Sequence, residues 1–152
     1  MRSFKYAFQG LVFCIRTERN MRIHLCFCFY VICTGVIVRL TAAQWAAAFI
    51  CMGFVMALEC LNTALETLCD TVHPEKHAGI KIAKDASAAA VLCAAIGAAA
   101  VGIAIFFASG HWRTALDFAT EQPVITIALV LTAIPAAWFV FYYGRTDTKE
   151  KK

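Results

Sequence analysis

Residues 45–70 read WAAAFICMGFVMALECLNTALETLCD, and this stretch decides the fold. From Trp45 to Leu68 only Glu59 and Glu66 carry charge. At 1.5 Å per residue the segment is about 36 Å long, enough to cross a hydrocarbon layer of about 30 Å. We read it as a transmembrane helix. A carboxylate inside such a helix costs about 3 kcal/mol on insertion scales, so two of them need a reason. Asn62, Glu66 and Asp70 follow Glu59 at offsets of three, seven and eleven residues, all of which return to one helix face. The two glutamates are then about 10 Å apart along the axis, and Asn62 is one turn from Glu66, close enough to orient it. The residues alone leave three readings: interhelical hydrogen bonds, a proton or ion path, or a reactive site.

Working outward, apolar runs predict further spans at 23–38, 86–107 and 123–143, with Pro123 at a helix start and Pro135 as a kink. Ahead of them, Phe4, Phe8, Leu11, Val12 and Ile15 keep helical spacing among basic residues, which predicts an amphipathic surface helix over 3–20. The expected fold is an all-α integral membrane protein: a surface helix, three transmembrane helices over residues 1–108, then an external link, a fourth transmembrane helix and a basic tail over 109–152. The 152-residue chain is 61% hydrophobic, with mean hydropathy +0.69, beyond the range of soluble domains. Thr41-Ala42-Ala43 offers a small-residue cleavage site, but the lead is long for a signal peptide and further spans follow.

Charge sets the orientation. Arg2, Lys5, Arg16, Arg19 and Arg22 precede the first span; Lys76, Lys81 and Lys84 lie between the second and third; Arg145, Lys149, Lys151 and Lys152 end the chain. The other two links carry only Arg39 and Arg113. The positive-inside rule puts both termini and the 69–84 link in the cytoplasm. Basic residues spread over the flanks of spans set topology and do not form a nucleic-acid surface. The eight cysteines include no CxxC pair and read as small buried hydrophobes. In the third span Ala98 and Gly102 form a small-xxx-small pair, suited to close helix approach or simply part of an alanine-rich helix.

The link after Asp70 adds Glu75, Lys76, His77, Lys81, Lys84 and Asp85. Lys84 and Asp85 are expected where the third span begins, at a helix N-terminus that favours anions. Opposite the acids of the second span, this set reads as a site for ATP and a divalent metal, because magnesium is held by one or two carboxylates plus phosphate oxygens. The chain has no GxxxxGK[ST] and no GxGxxG, so the soluble nucleotide-binding loops are excluded.

The run Glu59-Cys-Leu-Asn-Thr-Ala-Leu-Glu66-Thr-Leu-Cys-Asp70 resembles the signature of the small bacterial membrane diacylglycerol kinase and undecaprenol kinase family. So do Lys84-Asp85 with Ala86 to Leu92, the lead Phe4 to Gly10, and Glu18-Arg-Asn-Met-Arg-Ile-His24. The resemblance covers about residues 2–107. It implies a homotrimeric lipid kinase of the bacterial inner membrane, with sites facing the cytoplasm. The implied reaction uses ATP and Mg2+ on a lipid primary alcohol. By matching positions it implies Glu59 as general base, Glu18 and Glu66 as magnesium ligands, and Tyr6, Glu75, Lys76, His77, Lys84 and Asp85 around the nucleotide. Asn62 and Asp70 support the acids. Lys76 stands where the family often has an aromatic residue, and the fourth span lies outside the family's three-helix pattern. The Glu18–His24 wording is closer to the Gram-positive-type branch, which favours undecaprenol and so feeds cell-wall synthesis; diacylglycerol is the substrate whose phosphorylation recycles phospholipid by-products. The competing class is a membrane scaffold or ion-conducting protein whose acids are structural.

Overall fold

The computed structural model describes residues 2–73, 75 and 77–143, and among these the regular structure is all helix, without strands. Lys76 and the basic tail lie outside the described residues. Helix α1 (Arg2–Thr17) is the expected amphipathic helix. It ends at Glu18, whose extended backbone (φ −98°, ψ 119°) turns the chain into α2 (Arg19–Ile37). The Glu18 carboxylate takes no part in capping α2. Ser, Thr, Asp and Asn are the residues that serve at such a position, so this corner leaves its acid available for another use.

Arg39, in the left-handed region at φ 57°, turns α2 towards α3 (Ala42–Val72). Thr41 and Gln44 start α3 with a reciprocal cap: Thr41 N–H donates to Gln44 Oε1 at 2.9 Å, and Gln44 N–H donates to Thr41 Oγ1 at 3.4 Å. Trp45 packs so closely on Gly35 that a Cβ there would lie 2.6 Å from its ring, which fixes this end of the α2–α3 hairpin. A five-residue link leads from α3 into α4 (Ala78–Ala108), and the two long helices run antiparallel in contact along their lengths. Each has 31 residues, or about 46 Å, so both project beyond a hydrocarbon core of about 30 Å.

The 69–84 link is therefore mostly helix. Lys84 and Asp85 are nearly two turns inside α4, not at its N-terminus, where His77 instead accepts from Gly79 N–H. The helix-dipole argument for anion binding at Lys84 fails for that reason. The link between α4 and the fourth span also contains a helix the hydropathy reading missed, α5 (His111–Glu121). It is too polar to register as a span, yet Trp112, Ala115, Leu116 and Ala119 share one face. The fourth span starts at Pro123 as expected but consists of two pieces, α6 (Pro123–Leu131) and α7 (Ala133–Tyr142). The break falls one turn before Pro135, where the ring removes the hydrogen bond to Leu131 and crowds its carbonyl.

Four helical stretches are long and apolar enough to cross a membrane: Arg19–Ile37, Ala42–Val72, Ala78–Ala108 and Pro123–Tyr142. This is a multi-pass membrane protein. Its intramolecular core is thin. Among the described residues the buried apolar side chains are few, Met21, Val55 and Val91 chief among them, while Phe27, Phe54, Leu92, Ile103 and many others face outward. Gly97 and Gly102 have open space where a Cβ would go, so neither is a point of close helix approach within the chain. All eight cysteines are free.

Candidate active site

The α3 face read from the sequence turns inward. Glu59 is 1% exposed and Asn62 is buried. Both carboxylate oxygens of Glu59 lack a hydrogen-bond partner. An unpaired buried carboxylate is costly, so the fold tolerates this group and does not use it as a clamp. Thr63, also buried, bonds through its hydroxyl to the Glu59 carbonyl at 2.9 Å. Thr67 and Thr71 repeat that backbone contact one and two turns later.

Asn62 works with both ends of its amide. Its Nδ2 donates to Glu66 Oε1 at 3.0 Å, and its Oδ1 accepts from Ser87 Oγ of α4 at 2.6 Å. Ser87 Oγ also lies 2.9 Å from the Lys84 carbonyl of its own helix. Glu66 is thus held by a side chain that is itself anchored to the neighbouring helix. The sequence reading did not include Ser87. The signal was there, since Ser87 is one turn from Lys84 and shares its face. Replacing Ser87 by Ala leaves a buried Asn62 oxygen without its donor. We expect a loss of about 1–3 kcal/mol, read as a lower unfolding temperature in detergent; an unchanged transition would show that Asn62 is held by other contacts.

A second tie joins the helices nearer the link. Lys84 Nζ donates to both oxygens of Asp70, at 2.9 and 3.1 Å. The pair is open to solvent, with Asp70 67% exposed. Beside it is an open cleft of about 630 Å³ lined by Asp70, His73, Glu75, His77, Lys84 and Asp85, together with Ala78, Ile80 and Lys81. His73 is an addition to the residues proposed from sequence. Tyr6, on α1, is 65% exposed and lies outside this lining, and Lys76 falls outside the described residues.

Glu18, at the corner between α1 and α2, lies within electrostatic reach of Glu66, and neither of the two lines this cleft. Glu18 is half-buried, and burial is the main reason its carboxyl is pushed above the usual carboxylate range. The nearby Glu66 charge pushes the same way, while the Thr17 hydroxyl and Arg22 pull it down. Glu59 lies within electrostatic reach of both Glu18 and Glu66. Three carboxylates from two separate segments thus share one end of the bundle, and Lys84 is close enough to feel Glu66. Among the described residues no three His, Cys, Asp or Glu side chains converge tightly enough to enclose a metal alone. Such a site leaves room for phosphate oxygens, as magnesium sites on nucleotides do.

Acids gathered between membrane helices, beside a cleft of mixed charge and with no soluble nucleotide loop, fit a membrane-embedded lipid kinase, and the match to known kinases shows that class. Residues 5–106 match the sequence profile of prokaryotic diacylglycerol kinase, and the chain belongs to that family. It is 36% identical over 105 residues to the undecaprenol kinase of Bacillus subtilis, covering 69% of this chain and 85% of that protein. It is 45% identical over 101 residues to the diacylglycerol kinase of Synechocystis sp., covering 66% of this chain but 58% of that protein. No solved structure matched the chain. The fourth span lies beyond the family match.

Proposed function

We propose that this enzyme transfers the γ-phosphoryl group of ATP to the primary hydroxyl of a membrane lipid, undecaprenol or diacylglycerol, with Glu59 as general base. The observation that carries the reading is the Glu59 carboxylate, buried and with neither oxygen bonded. A base kept from water and from internal partners is suited to take a proton from an alcohol that arrives through the bilayer. In the reaction the hydroxyl proton passes to Glu59 as the lipid oxygen bonds to the γ-phosphorus. The bond to the β–γ bridging oxygen breaks, leaving ADP and a lipid phosphate. The names of both relatives support a lipid alcohol of this kind.

The residues present fit a magnesium ion. Glu18 and Glu66 offer hard oxygen donors, Glu18 is not consumed as a helix cap, and Glu66 is oriented by Asn62. When bound, the ion supplies charge neutralisation on the transferred phosphoryl group. Lys84, His77, Glu75 and Asp85 line the cleft proposed for the nucleotide, and Asp70 aims Lys84. The assembly we propose is a homotrimer in the inner membrane with this end cytoplasmic. The distribution of Lys and Arg supports the orientation, and the exposed apolar faces of α3 and α4 leave room for neighbouring copies.

The decisive test uses purified protein in mild detergent with radiolabelled ATP and magnesium, and the two lipids in separate mixed micelles. Label should enter one lipid and be absent with Glu59→Gln. No label in either lipid from folded protein would favour a scaffold.

Glu18 adds a pH dependence. Because its carboxyl titrates above the usual range, a bound cation must displace a proton as pH falls into that range. The half-saturating magnesium concentration should therefore rise as pH falls from neutral towards the usual carboxylate range. The metal-free fold should behave oppositely and lose stability as pH rises through the same window, since the native state holds the extra proton. Glu18→Gln should flatten both profiles; profiles that stay as steep would assign the dependence to another group.

A further inference from the structure

The fourth span joins α2 through a regular antiparallel zipper. Arg22, Cys26 and Tyr30 recur one turn apart on α2, and they meet Val140, Ala136 and Thr132, also one turn apart. Tyr30 and Thr132 share a hydroxyl–hydroxyl bond of 3.0 Å, and Cys26 Sγ lies 4.0 Å from the Ala136 carbonyl. The zipper ends at Arg22, which is buried. Its Nε donates to the Val140 carbonyl at 3.2 Å, and its Nη1 donates to the carbonyls of Ile15 and Arg16 at 2.9 and 3.0 Å.

All three acceptors are carbonyls in the last turn of a helix, α7 in one case and α1 in the other two, where no partner exists within the helix itself. One guanidinium therefore caps two helix C-termini from opposite ends of the chain, at the negative ends of both dipoles. Between these contacts, two residues after Arg16 and one turn before Arg22, stands Glu18.

We infer that the fourth span positions the Glu18 carboxylate, acting through Arg22 as a shared cap that fixes the corner between surface helix and first span. Arg22 is a positioning residue; it is not placed on the substrate or the metal. The inference rests on the proposed role of Glu18 as a metal ligand. It also gives a task to a helix outside the family match, which ends at residue 106.

The test uses the full-length chain in detergent, with Ala136→Trp, which wedges the zipper, the pair Tyr30→Phe with Thr132→Val, which unties its far end, and Arg22→Lys, which keeps the charge but loses the fork. Two properties are read: amide hydrogen exchange, and Mn2+ binding by electron paramagnetic resonance with a non-hydrolysable ATP analogue. The expected result is faster exchange over α7 and over residues 14–22, with Mn2+ binding weakened about fivefold and half-saturation by lipid unchanged. Faster exchange over α7 with residues 14–22 and Mn2+ affinity unaltered would overturn the inference. Glu18→Gln separates the two failures. If it leaves Mn2+ binding intact, the metal assignment falls and this inference with it. If it weakens binding while the zipper variants do not, only the inference falls.

Discussion

Glu59→Gln should lower phosphoryl transfer by about 10³-fold or more, at the upper end of what a positioned general base contributes, while the protein unfolds at a higher temperature than the parent. The two effects have one cause. The carboxylate is sealed from solvent with both oxygens unpaired, and a neutral amide of the same shape removes the cost of a buried unpaired charge. A residue kept for packing would show the reverse: activity close to that of the parent and a loss of stability. A stabilised, inactive variant with intact Mn2+ binding is the result that identifies a base. Turnover within tenfold of the parent would remove Glu59 from that role.

Lys84→Met should cost about 100-fold or more in turnover and raise the half-saturating ATP concentration, because it removes the point charge proposed to face the transferred phosphoryl group. Stability should hardly change. The ion pair with Asp70 is open to water, and exposed pairs contribute little to folding. Asp70→Asn separates aiming from charge: it leaves Lys84 cationic but frees its stem, so its loss should be smaller. If Lys84→Met keeps activity within threefold, the cleft beside it is not where the nucleotide sits.

Much of the fold was legible because lipid imposes long apolar helices and leaves charges conspicuous. Glu59, Asn62, Glu66 and Asp70 could be placed on one face from spacing alone, and the structure keeps Asn62 in contact with Glu66. The boundaries at the link between α3 and α4 were misjudged because its charged residues were read as loop. Residues 78–85 carry three charges and are still helical, because α4 continues alongside α3 well beyond the length a hydrocarbon core requires. Helix α5 escaped for the related reason that a short amphipathic helix is averaged away in a hydropathy window. Arg22 was hidden in a different sense. Its importance beyond topology lies in what it touches across the bundle, Val140, and no local pattern reports a contact between residues 118 positions apart. Ser87 was legible as a neighbour of Lys84 on one face, but its bond to Asn62 was not.

Helix α3 carries a gradient along its length. Glu59 is 1% exposed and Asp70, about 16 Å further along the axis, is 67% exposed. One reactant of the proposed chemistry dissolves only in oil and the other only in water, and no single medium holds both. A rigid rod running from one medium into the other, with its acids spaced along the way, acts as a phase-transfer catalyst anchored at the boundary: neither reactant has to leave its own solvent, and only a phosphoryl group crosses.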